Sequence, residues 1–76
     1  MNKEKFIELF KETLEIEDFD VKMEDNFRDY EEWDSLAVLS LLAMINEEFN
    51  ILLKREELDK LTTIKELYEF ISEKED

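Results

Sequence analysis

The chain has 76 residues, the size of one small domain, and carries 23 acids against 10 bases for a net charge of −13. It has no histidine and no cysteine. A Ser-His-Asp triad, an imidazole base, a disulfide and a thiolate or imidazole metal centre are therefore excluded, and an autonomous hydrolase is not expected. No basic stripe exists to displace phosphate counterions, so nucleic acid is not an expected partner.

Glycine and proline are also absent, which removes the residues best suited to sharp turns and favours helices with simple connections. Residues 1–76 read as a single domain with no repeat, linker or low-complexity tract. The apolar run Leu36 to Ile45 is too short to span a bilayer. Lys3-Glu4-Lys5 is followed by no apolar segment of a signal peptide. A cytoplasmic, soluble monomer is the expectation.

The first segment, Lys3 to Glu15, places Phe6, Leu9, Phe10, Thr13 and Leu14 at helical spacing, with Glu8, Lys11, Glu12 and Glu15 on the other faces. It is predicted to be an amphipathic helix. From Ile16 to Trp33 the period is lost, and Phe19, Val21, Met23, Phe27 and Tyr30 stand scattered among acids. That pattern predicts a long loop pinned to the core by its apolar residues. Its acids invite comparison with a calcium loop. Asp18 and Asp20 fit the first and third ligand positions of an EF-hand, but Lys22 and Met23 occupy the next ligand and glycine sites. No metal site is assigned.

A second helix is predicted from Ser35 to Phe49, with Asp34 or Ser35 as its N-cap. It carries no charge until Glu47, and it sets a hydroxyl at the positive end of a helix dipole, where backbone N–H groups suit a phosphate. Val38, Leu41, Leu42, Ile45 and Phe49 form the expected core stripe. Leu36, Leu39, Ser40, Ala43 and Asn46 point elsewhere, as a contact surface or as a face packed on another helix of the chain. Ile51, Leu52 and Leu53 precede a charged segment, Lys54 to Lys60, that is compatible with a helix of one or two turns. Thr63 and Glu66 have capping-box spacing and open a last helix with Ile64, Leu67, Tyr68 and Ile71 inward and Phe70 at the margin. The fold class is all-α, a small four-helix bundle of three main helices and one short one, with a long loop between the first two.

Asp34-Ser35-Leu36, the acidic helix end and apolar return Glu47-Glu48-Phe49-Asn50-Ile51, and Leu61-Thr62-Thr63-Ile64 together resemble the acyl carrier proteins and the related peptidyl carrier domains, over nearly the whole chain. The resemblance implies a carrier and not an enzyme, with 4′-phosphopantetheine attached to Ser35 from coenzyme A by a phosphopantetheinyl transferase that uses Mg²⁺. It implies an acyl or aminoacyl cargo held as a thioester on the arm, and loading and transferring enzymes as partners. By the same resemblance Asp34 helps position metal and coenzyme A, and Leu36 meets partners. Trp33, beside the serine, reads as a loop anchor or as a residue that touches the arm. The implied partner surface is Leu36, Ala37, Leu39, Ser40, Ala43, Glu47 and Glu48.

The chain departs from the family where a Leu-Gly pair usually stands, with Glu31-Glu32 there instead. A turn through Glu32 cannot rely on a residue free to adopt positive φ. Ala37 and Ser40 stand where acids are common, which implies more apolar recognition near Ser35 and a specialised biosynthetic pathway. Nine aromatics crowd the core, and a short, polar or aminoacyl cargo is compatible with that. A rival reading is an unmodified acidic helical module, an inhibitor or nucleic-acid mimic. It accounts for the charge but not for a neutral helix opening at Asp34-Ser35-Leu36. A carrier-like protein that has lost its modification is a third reading, raised by Glu32 and Ala37.

The acids are spread over both halves, 13 in residues 1–34 and 10 in residues 35–76, so the folded chain repels itself. Added salt or divalent cations are expected to raise the melting temperature. A thermal melt by circular dichroism between about 0.05 and about 0.5 M salt checks this, and a temperature indifferent to ionic strength would refute it.

Overall fold

The computed structural model describes residues 2–75. Its elements are α1 (Lys3–Leu14), a 3₁₀ turn (Phe27–Asp29), α2 (Ser35–Phe49), the single-turn α3 (Arg55–Leu58) and α4 (Ile64–Glu75). This is the expected all-α bundle of three main helices and one short one, and the long loop falls between α1 and α2. The β-type pairing among the described residues is an isolated bridge between Asn26 and Thr63.

α1 begins where Asn2 Oδ1 accepts the Lys5 N–H at 2.7 Å, satisfying a first-turn donor. It ends at Glu15, whose φ of 57° is left-handed. There the Ile16 N–H donates back to the Lys11 carbonyl at 2.9 Å. That closure is a Schellman turn, and buried Ile16 supplies its apolar contact. Without glycine the chain places glutamate in a backbone region that costs a non-glycine residue roughly 1–2 kcal/mol. α2 also ends on a left-handed residue, Asn50 at φ 56°, whose N–H donates to the Asn46 carbonyl at 3.0 Å and which tolerates the region better.

Phe6, Phe10 and Leu14 of α1 are buried against α2 and α4 residues Leu41, Ile45, Ile64, Leu67 and Ile71. The Phe6 ring lies 6.3 Å from Phe49 and 5.7 Å from Tyr68. The buried side of α2 differs from the expected stripe. Ala37 and Met44 join Val38, Leu41 and Ile45 in the core, while Leu42 and Phe49 are only partly covered. Aromatic rings on α1 and α4 fill the space near Phe49, so the stripe is rotated toward the Ala37–Leu41–Met44 side. The aromatics of α4 sit at the edge too, since Tyr68 and Phe70 are half-buried.

The loop is held more by hydrogen bonds than its irregular sequence implies. Phe27, Val21 and Ile16 are buried as anchors, but Phe19 is 37% exposed and rests its ring on Tyr30 at 5.1 Å. The expectation that Phe19 pins the loop to the core is corrected accordingly: it covers Tyr30 from outside. The Tyr30 hydroxyl donates to Asp25 Oδ2 at 2.8 Å. Burial and that acceptor beside it hold the phenol well above its ordinary value. Asn26 caps the 3₁₀ turn by accepting the Arg28 N–H at 3.0 Å.

The segment then stitches onto the start of α4. Phe27 donates to the Thr62 carbonyl, Ile64 to Asp25 and Lys65 to Met23, at 3.2, 3.1 and 2.8 Å. The α4 cap itself is reciprocal, with Glu66 N–H on Thr63 Oγ1 and Thr63 N–H on Glu66 Oε1, both at 3.1 Å. The N–H groups of Thr63 and Thr62 hold the Glu66 carboxyl below its usual range.

Arg28 makes a long-range side-chain clasp. Its Nε donates to the Leu61 carbonyl at 3.0 Å and its Nη2 to the Leu58 carbonyl at 2.7 Å. One guanidinium thus ties the loop to the end of α3, a helix too short to persist on its own. Arg28→Ala is expected to cost about 2 kcal/mol in urea unfolding, and Arg28→Lys to restore less than half, because an ammonium cannot serve both carbonyls with one planar fork. A loss below about 0.5 kcal/mol would show that water replaces the clasp.

Candidate functional site

The residues singled out in the sequence meet where the loop turns into α2. Trp33 is half-buried. Its ring lies 4.7 Å from the fully buried Phe27 ring, and its backbone N–H donates to the Tyr30 carbonyl at 3.0 Å. The loop therefore arrives at the helix already tethered. Asp34 is extended, with φ −143° and ψ −174°, and its Oδ1 accepts the Ala37 N–H at 2.8 Å. Asp34, not Ser35, is the N-cap, a role that contributes about 1 kcal/mol. Ser35 is thereby the first helical residue, exposed, with its hydroxyl at the positive end of the helix dipole.

Two further observations bear on what this end of α2 can receive. The first turns of α1, α3 and α4 each contain an acid, and the first turn of α2 contains none. The N–H groups of Ser35 and Leu36 lie in the first turn, where no intrahelical acceptor exists. An arriving phosphoryl group meets the donors of Ser35 and Leu36, while the Ala37 donor is already taken by Asp34 Oδ1.

Leu36 and Leu39 are 71% and 61% exposed. Ala43, Asn46, Glu47 and Glu48 are exposed along the same helix and Ser40 is half-covered. Ala37 is the exception to the expected surface. It is 7% exposed and packs in the core, because it stands four residues before Leu41 and seven before Met44, on the side of α2 that faces inward. Glu47 and Glu48 occupy the last turn of α2, which has no basic residue, so they stand at the end where the dipole disfavours acids.

Glu32 does not take a positive φ; among the described residues only Glu15 and Asn50 do. The turn before the site is thus made without the conformation that a glycine would supply. Its carboxylate has one oxygen, Oε1, shielded from water and without a hydrogen-bond partner. It lines a groove of about 250 Å³ between the end of α1 and the start of α2, with Leu14, Glu15, Asp34, Ala37 and Ser40 among the other walls. A larger hollow of about 700 Å³ lies along the solvent side of α1 beside Glu8, Lys11 and Glu12, and Ser35 is not part of it.

Sequence reasoning passed over Leu52, which is 76% exposed. The signal was present: Ile51 and Leu53 are buried on either side of it, the alternation of an extended segment. Among the described residues no helix is long and apolar enough to cross a membrane.

Residues 4–71 match the family model described as a phosphopantetheine attachment site. The chain is 31% identical over 71 residues to the acyl carrier protein of Petrotoga mobilis, covering 93% of this chain and 84% of that one. It is 33% identical over 66 residues to the acyl carrier protein of Treponema pallidum (strain Nichols), covering 87% and 85%. Against the acyl carrier protein of Rubrobacter xylanophilus it is 30% identical over 70 residues, covering 92% and 86%. No solved structure matches at the stringency these relatives meet.

Proposed function

The chain belongs to the phosphopantetheine-attachment family of acyl carrier proteins, and on that premise we propose that Ser35 is the residue that takes the arm. Membership itself makes the chain a carrier and not an enzyme, bearing covalent 4′-phosphopantetheine and served by a phosphopantetheinyl transferase and acyl-handling enzymes. The observation that carries the assignment of Ser35 is its exposed hydroxyl at the first position of α2, directly after the capping Asp34.

In the loading step the Ser35 oxygen forms a phosphoester with the pantetheine-bearing phosphorus of coenzyme A. The donor's diphosphate bond breaks, adenosine bisphosphate leaves with the bonding electrons, and the serine proton passes to a base on the transferase or to solvent. When bound, the arm supplies a terminal thiol that holds cargo as a thioester. Asp34 uses Oδ1 for the helix cap and keeps its other oxygen for the transferase's metal. Trp33, half-buried beside the serine, offers its uncovered edge to the arm while Phe27 holds its other side.

The partner surface in this reading is Leu36, Leu39, Ser40 and Ala43, with Glu47 and Glu48 at its far end; Ala37 is left out because it is buried. Exposed leucines without intervening acids favour partners with an apolar pocket near the serine. That supports a specialised biosynthetic carrier of an acyl or aminoacyl group over the general carrier of fatty-acid synthesis.

Intact mass after incubation with coenzyme A, Mg²⁺ and a broad-specificity transferase is expected to rise by one phosphopantetheine, and Ser35→Ala to show no rise. No gain on protein shown to be folded would overturn the assignment in favour of an unmodified acidic module or a carrier that has lost modification.

Loaded with an acyl chain, the protein is expected to be turned over by general fatty-acid elongation enzymes at least about tenfold less efficiently than a general carrier, a difference of ~1.4 kcal/mol in transition-state binding. Equal turnover would sink the specialised reading.

A further inference from the structure

An apolar tail on a cargo held outside the fold lowers its free energy by leaving water, so the bundle interior competes with solvent for it. The interior nearest Ser35 lies behind Trp33, and from there a row of side chains leads to α3. The Trp33 ring lies 4.7 Å from that of Phe27, and the Arg28 guanidinium lies 5.4 Å from the Phe27 centroid. The same guanidinium holds the Leu58 and Leu61 carbonyls at 2.7 and 3.0 Å. Behind this row the packing is closed, with Phe27, Leu41, Ile45 and Ile64 fully buried and Leu58 1% exposed. The two hollows on the surface are lined from α1, the long loop and the start of α2, and neither is bordered by α3 or α4.

α3 is the wall of this interior that is easiest to move. It is a single turn, too short to persist alone. Among the described residues, three attachments hold it: the buried Leu58 side chain, the surface pair of Glu57 with Lys74, and the Arg28 clasp. A surface ion pair contributes little, whereas the two bonds from Arg28 are charge-assisted and partly shielded from water. Arm attachment at Ser35 makes no use of this guanidinium.

We propose that Arg28 is a specificity-determining residue for cargo: its clasp shuts the bundle against an acyl tail, so the chain carries groups short or polar enough to stay in water on the arm. The inference rests on Ser35 being the attachment residue. An intruding tail has to break both guanidinium bonds, leave two carbonyls without their donor and displace side chains already packed at interior density. A short acyl or aminoacyl group has few methylenes to bury and does not need the interior.

Hydroxylamine cleavage of the thioester tests this, with octanoyl and acetyl groups on the arm and the same thioesters of free pantetheine as reference. On the wild-type chain both groups are expected to be cleaved within about twofold of the reference. Two variants remove the clasp: Arg28→Ala, and Arg28→Met, which keeps an unbranched stem beside Phe27 but has no donor. On either, the octanoyl group is expected to be cleaved about tenfold more slowly and the acetyl group at an unchanged rate. Asn2→Ala, which loosens the fold by removing the α1 cap two turns before Phe10, is expected to behave as the wild type. Octanoyl protection on the wild type, no protection on a folded Arg28 variant, or equal protection on Asn2→Ala overturns the proposal. A wild-type chain that takes no arm refutes the Ser35 reading alone. The closure is then read on Ser35→Cys, in a chain with no other thiol, alkylated by an octyl maleimide on a linker as long as the arm. The Leu58 and Leu61 amide NMR signals are expected to shift, relative to a methyl maleimide, only when Arg28→Met is added. Shifts with Arg28 in place, or none in its absence, overturn the closure.

Discussion

The fold turns on one ring. Phe27 is fully buried in the middle of the long loop, and it makes contacts in each direction the bundle needs. Phe10 of α1 lies 6.3 Å away and Trp33 lies 4.7 Å away, so the ring joins the first helix to the residue two before the serine. Its backbone N–H reaches the Thr62 carbonyl, and the Arg28 guanidinium lies 5.4 Å over its face while clasping the carbonyls of Leu58 and Leu61. A ring of this size contributes on the order of 2–3 kcal/mol on burial. Here the same burial also sets the register of the segment that delivers Ser35. The Ser35 end of α2 is therefore positioned by packing behind it, and the serine itself is left exposed.

Around that anchor the chain has to fold against its own charge. The acids that make specific polar contacts do so mainly as backbone acceptors: Asp34 for Ala37, Glu57 for Lys54, Glu66 for Thr62 and Thr63, Asp25 for Lys22. Three of these sit at helix N-termini, where the dipole favours a negative charge. The N–H of Lys54 holds the Glu57 carboxyl below its ordinary range, and the Lys74 ammonium at 3.5 Å adds to it. Carboxylates depressed in the folded state stabilise it above their unfolded pKa, and that contribution is lost as pH falls through the folded value. Protonation in the same window relieves the repulsion among the remaining acids, so the two effects oppose each other during acidification. The capping acids pull toward neutrality and the uncapped ones away from it.

Much of this was legible in the sequence because helical periodicity is a local signal. The apolar positions of α1, the capping box at Thr63 and Glu66, and the neutral run after Asp34 each depend on residues within two turns of one another. The misassignments are those that depend on neighbours far along the chain. Which arc of α2 faces inward is decided by the rings of Phe6 and Tyr68 beside Phe49, so Ala37 is covered and Leu42 is not fully so. Phe19 has the composition of an anchor, but Val21 and Ile16 take the buried places near it. Nothing local in the sequence marks Arg28, whose acceptors are carbonyls some thirty residues away. The site was more readable than the loop, since a cap, a hydroxyl and an acid-free turn are all consecutive. The groove was not, because Thr13 and Glu32 are neighbours only in space.

The arrangement of charge around Ser35 follows from the same economy of residues. The first turn of α2 has no acid of its own, though the capping Asp34 stands directly before it. Ala37 and Ser40 stand where the family resemblance leads one to expect acids, so the helix face offers shape and apolar area but little charge to read. Charge then has to come from the loop and from α1. The turn at Glu31-Glu32 lacks the glycine that would leave this side bare. Closure of α1 without glycine sets Glu15 at the rim. Glu15 and Glu32 therefore act together: the first takes the left-handed conformation that glycine adopts freely, the second does not, and both put a carboxylate on the wall of one groove next to the serine.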